Sequence, residues 1–194
     1  YAAAWANLVI VPLNTRWAIP ENIYSLKDAG CAALVVDDGF APQVPELLKG
    51  HPMAHVVHMG DQATPPAMHA HEALTAQPAP MADECGRDDD LCGIYYTGGT
   101  TGHPKGVMLS HKNFVAASIN WIATLHFSDQ TRYMHSAGLF HLAGASPAFA
   151  LTLAGGTHVC LPKFDAVLAF EAIQTHRVNY VLFVPTMINM MLNH

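Results

Sequence analysis

Charge is what this 194-residue sequence has least of. Only 12% of its residues are Asp, Glu, Lys or Arg, about half the share of roughly 25% usual in a soluble domain. Lys and Arg number 9 against 15 Asp and Glu, a formal charge of −6. With no basic stripe, nucleic acid is not an expected partner. Long apolar runs are also lacking. Hydrophobic residues make up 51% of the chain, yet none of their runs approaches the about 18 residues that a membrane-spanning helix needs. No transmembrane segment is therefore expected. Cysteine pairing signals are missing as well. Cys31, Cys85, Cys92 and Cys160 form no C-x-x-C pair and no disulfide framework, which points to reduced thiols and a cytoplasmic protein. No charged leader is present at the start, where residue 1 is Tyr1. No polar tail closes the apolar stretch 181–192. Low charge with apolar ends implies surfaces buried against further polypeptide, so the chain is expected to be a piece of a longer protein.

What is present is alternation. Residues 8–12 (LVIVP), 32–36 (AALVV) and 56–59 are short apolar runs that read as buried strands. Helices are predicted between them at 20–29, with Pro20 in the first turn and Gly30 at the stop, and at 45–49, closed by Gly50. Residues 60–90 are rich in proline and carry the acidic run Asp88–Asp89–Asp90. They read as an irregular surface connection, with a weak helix signal at 71–76. Alternation then resumes. Strands are predicted at 93–96, 131–134, 157–161 and 180–184. Helices are predicted at 111–126, 142–153 and 166–175, with a last one opening at Pro185. Ser110 is the expected N-cap of the helix from 111, and Val115, Ile119 and Ile122 mark its apolar face. This alternation implies an α/β fold class, with parallel sheets flanked by helices.

The segment between the strand at 93–96 and the helix at 111 carries the chemistry. It reads Thr97-Gly98-Gly99-Thr100-Thr101-Gly102-His103-Pro104-Lys105-Gly106. Glycines let the backbone curl so that successive N–H groups form an anion nest. Three threonine hydroxyls add donors, and Lys105 adds a mobile positive charge suited to a phosphate. Gly-rich segments are more often plain turns. Here a strand before, a Pro-fixed Lys within and an apolar helix after all favour a polyphosphate grip. The P-loop pattern G-x-x-x-x-G-K-[ST] is absent, since Pro104 precedes Lys105 and Gly106 follows it. The dinucleotide fingerprint G-x-G-x-x-G is absent too.

From Tyr95 to Val107 the sequence resembles the signature Y-T-S-G-T-T-G-x-P-K-G-V of AMP-forming acyl-CoA synthetases, the adenylate-forming family. Val11-Pro12-Leu13-Asn14-Thr15-Arg16, the Phe140-His141-Leu142-Ala143-Gly144 segment and Val184-Pro185-Thr186 resemble further motifs of that family. One departure lies in the loop, where Gly98 stands in place of the family's usual Ser. The resemblance implies two partial subdomains of the family's large N-terminal domain. Residues 1–127 would end in the phosphate loop and its following helix, and 128–194 would be an incomplete subdomain contributing to an acyl pocket. It implies that ATP activates a carboxylic acid as acyl-AMP and that coenzyme A accepts the acyl group, with Mg²⁺ on the phosphates. Thr97, Gly98, Gly99, Thr100, Thr101, Gly102 and Lys105 would hold the nucleotide phosphates, with Lys105 and Thr100 acting in catalysis. His141, Phe140 and Gly144 would line the substrate pocket. The adenine- and ribose-binding motifs and the catalytic Lys of the family's C-terminal domain lie outside this segment, so the chain alone is expected to be inactive. Two alternatives stay open: an adenylation domain loading a carrier protein, and a non-catalytic nucleotide-binding module.

Thirteen histidines raise a metal site. The densest group is His51, His55, His58, His69 and His71. Pro52 opposes a helix there, His55 and His58 would face opposite sides of a strand, and no ligand set is completed nearby. No metal site is expected.

Overall fold

The computed structural model describes residues 1–76, 82–84, 86–98 and 102–194. They pack as two compact units. One is Tyr1–Gly86 with Cys92–Met108, the other Arg87–Leu91 with Leu109–His194. Both are α/β, with parallel strands flanked by helices.

The first unit opens on a short helix, α1 (Ala2–Trp5). Pro20 then sits in the first turn of α2 (Ile19–Asp28), where its missing N–H costs nothing. The Glu21 carboxylate accepts the N–H of Ala18 at 2.9 Å and secures the helix entry. Gly30 follows the last turn with φ +64°, a conformation that favours glycine. β1 (Ala33–Val36) pairs in parallel with β2 (His55–His58), Leu34 opposite Val56. β2 pairs in parallel with β3 (His69–Ala70). A 3-10 turn (Ala41–Gln43) leads into α3 (Val44–Gly50), and α4 (His71–Thr75) follows β3. The core joins Leu26 of α2, Val44 and Leu47 of α3, and Leu34, Val36 and Val56 of the sheet.

In the second unit, Ser110 caps α5 (His111–Leu125) and accepts the N–H of Asn113. β6 (Arg132–His135) is the central strand of the order β7-β6-β8, and both of its pairings are parallel. β7 is Thr157–Cys160 and β8 is Tyr180–Val181. α6 (Leu142–Ala154) ends at Gly155, φ +75°. Asp165 caps α7 (Ala166–His176), accepting the N–H groups of Val167 and Leu168, and α8 (Pro185–Leu192) closes the chain. One face of this sheet packs Tyr133 and Tyr180 on Leu151, Trp121 and Ile122. The other packs Met134 and Val159 on Ala169 and Ala172.

Four expectations are corrected. Residues 8–12 are not a buried strand. Ile10 alone bridges to Gly93, while Leu8 and Val9 are exposed; Pro12 has no N–H with which to extend the pairing. Residues 33–36 are a strand, but one buried on a single face, with Val35 60% exposed. The buried face of α5 is not the one marked by Val115 and Ile119, which are 54% and 53% exposed. The contact side runs instead through Ser118, Trp121, Ile122 and Leu125. Finally, the 60–90 connection contributes β3 to the sheet as well as the weakly signalled helix, now α4.

Candidate functional site

β4 (Leu91–Thr97) and β5 (Lys105–Ser110) form a two-stranded sheet with the Gly/Thr segment between them. Cys92, Tyr95 and Tyr96 of β4 are buried, so the strand is a fixed base for the loop. Thr97, at its end, donates its hydroxyl to the backbone oxygen of Lys105 at 3.4 Å, across the neck of the loop. Gly106 explains how the two strands approach. A Cβ there would lie 2.7 Å from Ile94 Cγ2 and 3.2 Å from the Tyr96 ring, so only glycine lets β5 lie this close.

Gly98 and Gly102 differ from Gly106. Among the described residues a Cβ at either would meet nothing within 4 Å, and Gly102 has φ +140°. Against those residues neither glycine is needed for close packing, which suits a phosphate-binding backbone. Lys105 is exposed at the start of β5. Gly99, Thr100 and Thr101 lie outside the described residues.

One face of α2 carries two contacts that the sequence did not announce. Tyr24 and Asp28 are four residues apart and therefore share a helix face. Asp28 Oδ2 accepts the hydroxyl of Tyr96 at 2.7 Å, one residue before the loop begins. Burial and this hydrogen bond push the Tyr96 hydroxyl above its ordinary pKa, so it stays a donor. Tyr24 stacks on His103, two residues before Lys105, with ring centroids 4.5 Å apart and an interplanar angle of 11°. The only available signal was the i, i+4 spacing of the pair.

The second unit holds the other predicted residues together. Phe140 is buried, and its ring meets the His141 ring at 4.4 Å. His141 is exposed and is the N-cap of α6, without a side-chain cap bond. Its backbone closes the turn instead, donating to Gly138 O and accepting from the N–H groups of Gly144 and Ala145. Gly144 is buried, and a Cβ on it would lie 2.5 Å from the Gly138 oxygen and 2.9 Å from that of Ala137. Its smallness seats the first turn of α6 on the 137–138 backbone.

Of the histidines weighed as metal ligands, His51 and His58 have separate partners, while the His55 and His69 rings neighbour each other at 6.3 Å. His51 Nε2 donates to Cys31 O at 2.6 Å, and His58 Nε2 donates to Asp38 Oδ1 at 2.9 Å. Among the described residues no group of three or more His, Cys, Asp or Glu is placed to hold a metal ion. No helix among them is long and apolar enough to cross a membrane.

Parallel sheets with a Gly/Thr loop leaving a buried strand define an α/β protein of the kind that handles nucleotides. The family model described as AMP-binding enzyme matches residues 1–194, and the chain belongs to that family. It is 32% identical over 191 residues to a long-chain-fatty-acid–CoA ligase, FadD13, of Mycobacterium tuberculosis, covering 98% of this chain and 37% of that protein. It is 32% identical over 196 residues to an indoleacetate–CoA ligase of Aromatoleum aromaticum, covering 99% and 38%. Among solved structures, ATP-bound MatB from Rhodopseudomonas palustris matches with a TM-score of 0.81 at 28% identity, covering 100% of this chain and 37% of that one. The chain thus spans well under half the length of these relatives.

Proposed function

We propose that the complete protein is an AMP-forming acid–thiol ligase that makes an acyl-coenzyme A from a carboxylic acid and ATP. A carboxylate oxygen attacks the α-phosphorus, the bond to the bridging oxygen of pyrophosphate breaks, and acyl-AMP remains. The coenzyme A thiol, losing its proton, then attacks the acyl carbon and AMP departs. The observation that carries this reading is the loop. It leaves buried β4, carries at Gly98 and Gly102 two glycines with no described residue within 4 Å of a Cβ position, and presents exposed Lys105 at its exit. Thr97, Gly98, Gly102 and Lys105, with Gly99, Thr100 and Thr101, would hold the β- and γ-phosphates and stabilise charge on the leaving pyrophosphate. Mg²⁺ is expected to arrive on the phosphates rather than on a protein cluster. His141, Phe140 and the turn at Gly144 would border the acyl group, within a portion, residues 128–194, that contributes one wall of the pocket. Ligases for a fatty acid and for an arylacetic acid among the relatives support an apolar acid, of a chain length left open. A cytoplasmic setting suits these substrates.

Lys105→Ala in the complete protein tests the reading. Contacts to charged groups are worth about 1.5–3 kcal/mol, so ATP–pyrophosphate exchange should fall about ten- to a hundredfold. Gly98→Ser should keep full exchange, because a Cβ at Gly98 meets no described residue within 4 Å and Ser is the residue usual in the family signature. An undiminished rate in Lys105→Ala would remove the loop from the mechanism. Transfer of the acyl group to a holo-carrier protein and not to coenzyme A would reassign the second half-reaction.

A further inference from the structure

Both arms of the phosphate loop are tied to one helix that itself belongs to the core of the first unit. Ser25 and Leu26 of α2 are 1% and 2% exposed, and Ile23 lies against Gly50 at the end of α3. A helix so fixed is a stationary reference for anything attached to its outer face. Asp28 holds the entry arm through the Tyr96 hydroxyl. Tyr24 holds the return arm, Gly102 to Lys105, through the His103 ring. The two attachments differ in kind. Tyr96 is buried in a strand and is also held by its neighbours. His103 is exposed, follows a glycine that packs against no other described residue, and stacks on Tyr24 as its one ring partner among the described residues.

We infer that Tyr24 is a positioning residue for nucleotide binding: its ring, stacked on His103, fixes the return arm that presents Lys105 to the phosphates. Glycine before His103 leaves the arm many conformations, and an ordered arm binds more tightly because less freedom is lost on binding. The stack supplies that order from outside the site, touching neither nucleotide nor acid. Pro104 stiffens the single step between the stacked ring and Lys105. The inference rests on the function proposed above.

A double-mutant cycle in the complete protein tests it, with KM for ATP and KM for the acid measured beside melting temperature. Aromatic pairs of this geometry are worth enough that Tyr24→Ala should raise the KM for ATP about three- to tenfold, with the KM for the acid unchanged. Tyr24→Phe keeps the stack and should behave as the unsubstituted protein. His103→Ala, on an exposed side chain that poses no risk to folding, should reproduce the Tyr24→Ala effect, and the double variant should be no worse than either single one. Additive losses, a matching change in the KM for the acid, or unchanged KM for ATP in His103→Ala would each overturn the inference while leaving the proposed function standing. If the unsubstituted complete protein makes no acyl-adenylate, the proposed function fails and takes the inference with it.

Discussion

The sheet of the first unit and the sheet of the second are built from equally short strands of similar composition, yet they are covered differently. β6 buries alternate residues on opposite sides, Tyr133 towards α5 and α6, Met134 towards α7 and α8. β1 buries Leu34 and Val36 on α2 and α3 and leaves Val35 60% exposed. An apolar run such as AALVV therefore states that a strand forms, but not how many of its faces are covered. Coverage depends on which helices flank the strand. The candidate site residues divide along the same line, with the Gly/Thr loop in the first unit and the His141 turn in the second.

The largest expected effect probes coverage directly. Leu151 is fully buried beneath the second sheet, so Leu151→Ala should cost about 3 kcal/mol or more through lost burial and the cavity left behind. Val35→Ala, on the open face, should stay within about 0.5 kcal/mol. Urea unfolding reads both, Val35→Ala through Trp5 and Trp17 of the first unit with Trp121 replaced by Phe, and Leu151→Ala through Trp121, the only tryptophan of the second unit, with Trp5 and Trp17 replaced by Phe. A cost at Val35 as large as that at Leu151 would show that both sheets are covered alike in solution.

A smaller effect comes from two histidines inside the second unit. The Thr152 hydroxyl donates to Ala148 O at 3.0 Å, so it accepts from His158 Nε2, also at 3.0 Å. His158 Nδ1 must then accept from His135 Nε2 at 2.9 Å. His135 Nδ1 is left as a buried acceptor without a partner among the described residues. This order of protons requires both rings to be neutral. Burial, with His158 as the second cause, lowers the His135 pKa from its ordinary 6.5 to about 4, and burial lowers that of His158 too. The unfolded chain therefore takes up protons first as the pH falls. Stability is intact above about pH 7 and is lost progressively below about 6.5, by about 2 kcal/mol for His135 between pH 7 and pH 5. The midpoint of urea unfolding, followed by Trp121 fluorescence at both pH values, measures this loss. His135→Gln should flatten the slope, and an equal slope in that variant would assign the pH response elsewhere.

Local features were legible in the sequence, and features spanning distance were not. Pro20, Gly30 and Ser110 mark helix ends, because a cap is chosen by the few residues around it. The Gly/Thr loop was legible for the same reason. Residues 8–12 misled because an apolar run does not reveal whether a neighbour lies alongside, and Pro12 blocks the pairing. β5 was absorbed into the loop and the cap because its six residues hold no alternation strong enough to outweigh the glycine at its second position. On α5 two apolar stripes compete, and only packing against α6 selects the one through Ser118 rather than Val115 and Ile119. The His135–His158 pair and the Tyr24–His103 stack join residues 23 and 79 positions apart. Neither leaves a local trace.

The smallest expected effect decides whether the second unit takes part in the chemistry at all. His141 precedes α6 and carries no side-chain cap bond, and the turn is closed by its backbone. Removing an exposed ring whose one ring contact is with neighbouring Phe140 should leave the melting temperature nearly unchanged, within the about 0.5 kcal/mol typical of such surfaces. A ring that borders the acyl group has another consequence. His141→Ala in the complete protein should change the KM for the carboxylic acid about two- to fivefold, equivalent to about 0.5–1 kcal/mol, and by different factors for short and long acids. The KM for ATP should not move, since the proposed phosphate contacts lie in the first unit. Phe140 offers the contrasting case. Its ring is buried against Gly138, so Phe140→Ala should lower the melting temperature in addition to any change at the acyl group it would border. If His141→Ala lowers the melting temperature and depresses activity on every acid alike, the histidine belongs to the packing of the turn, and acid recognition must be sought elsewhere.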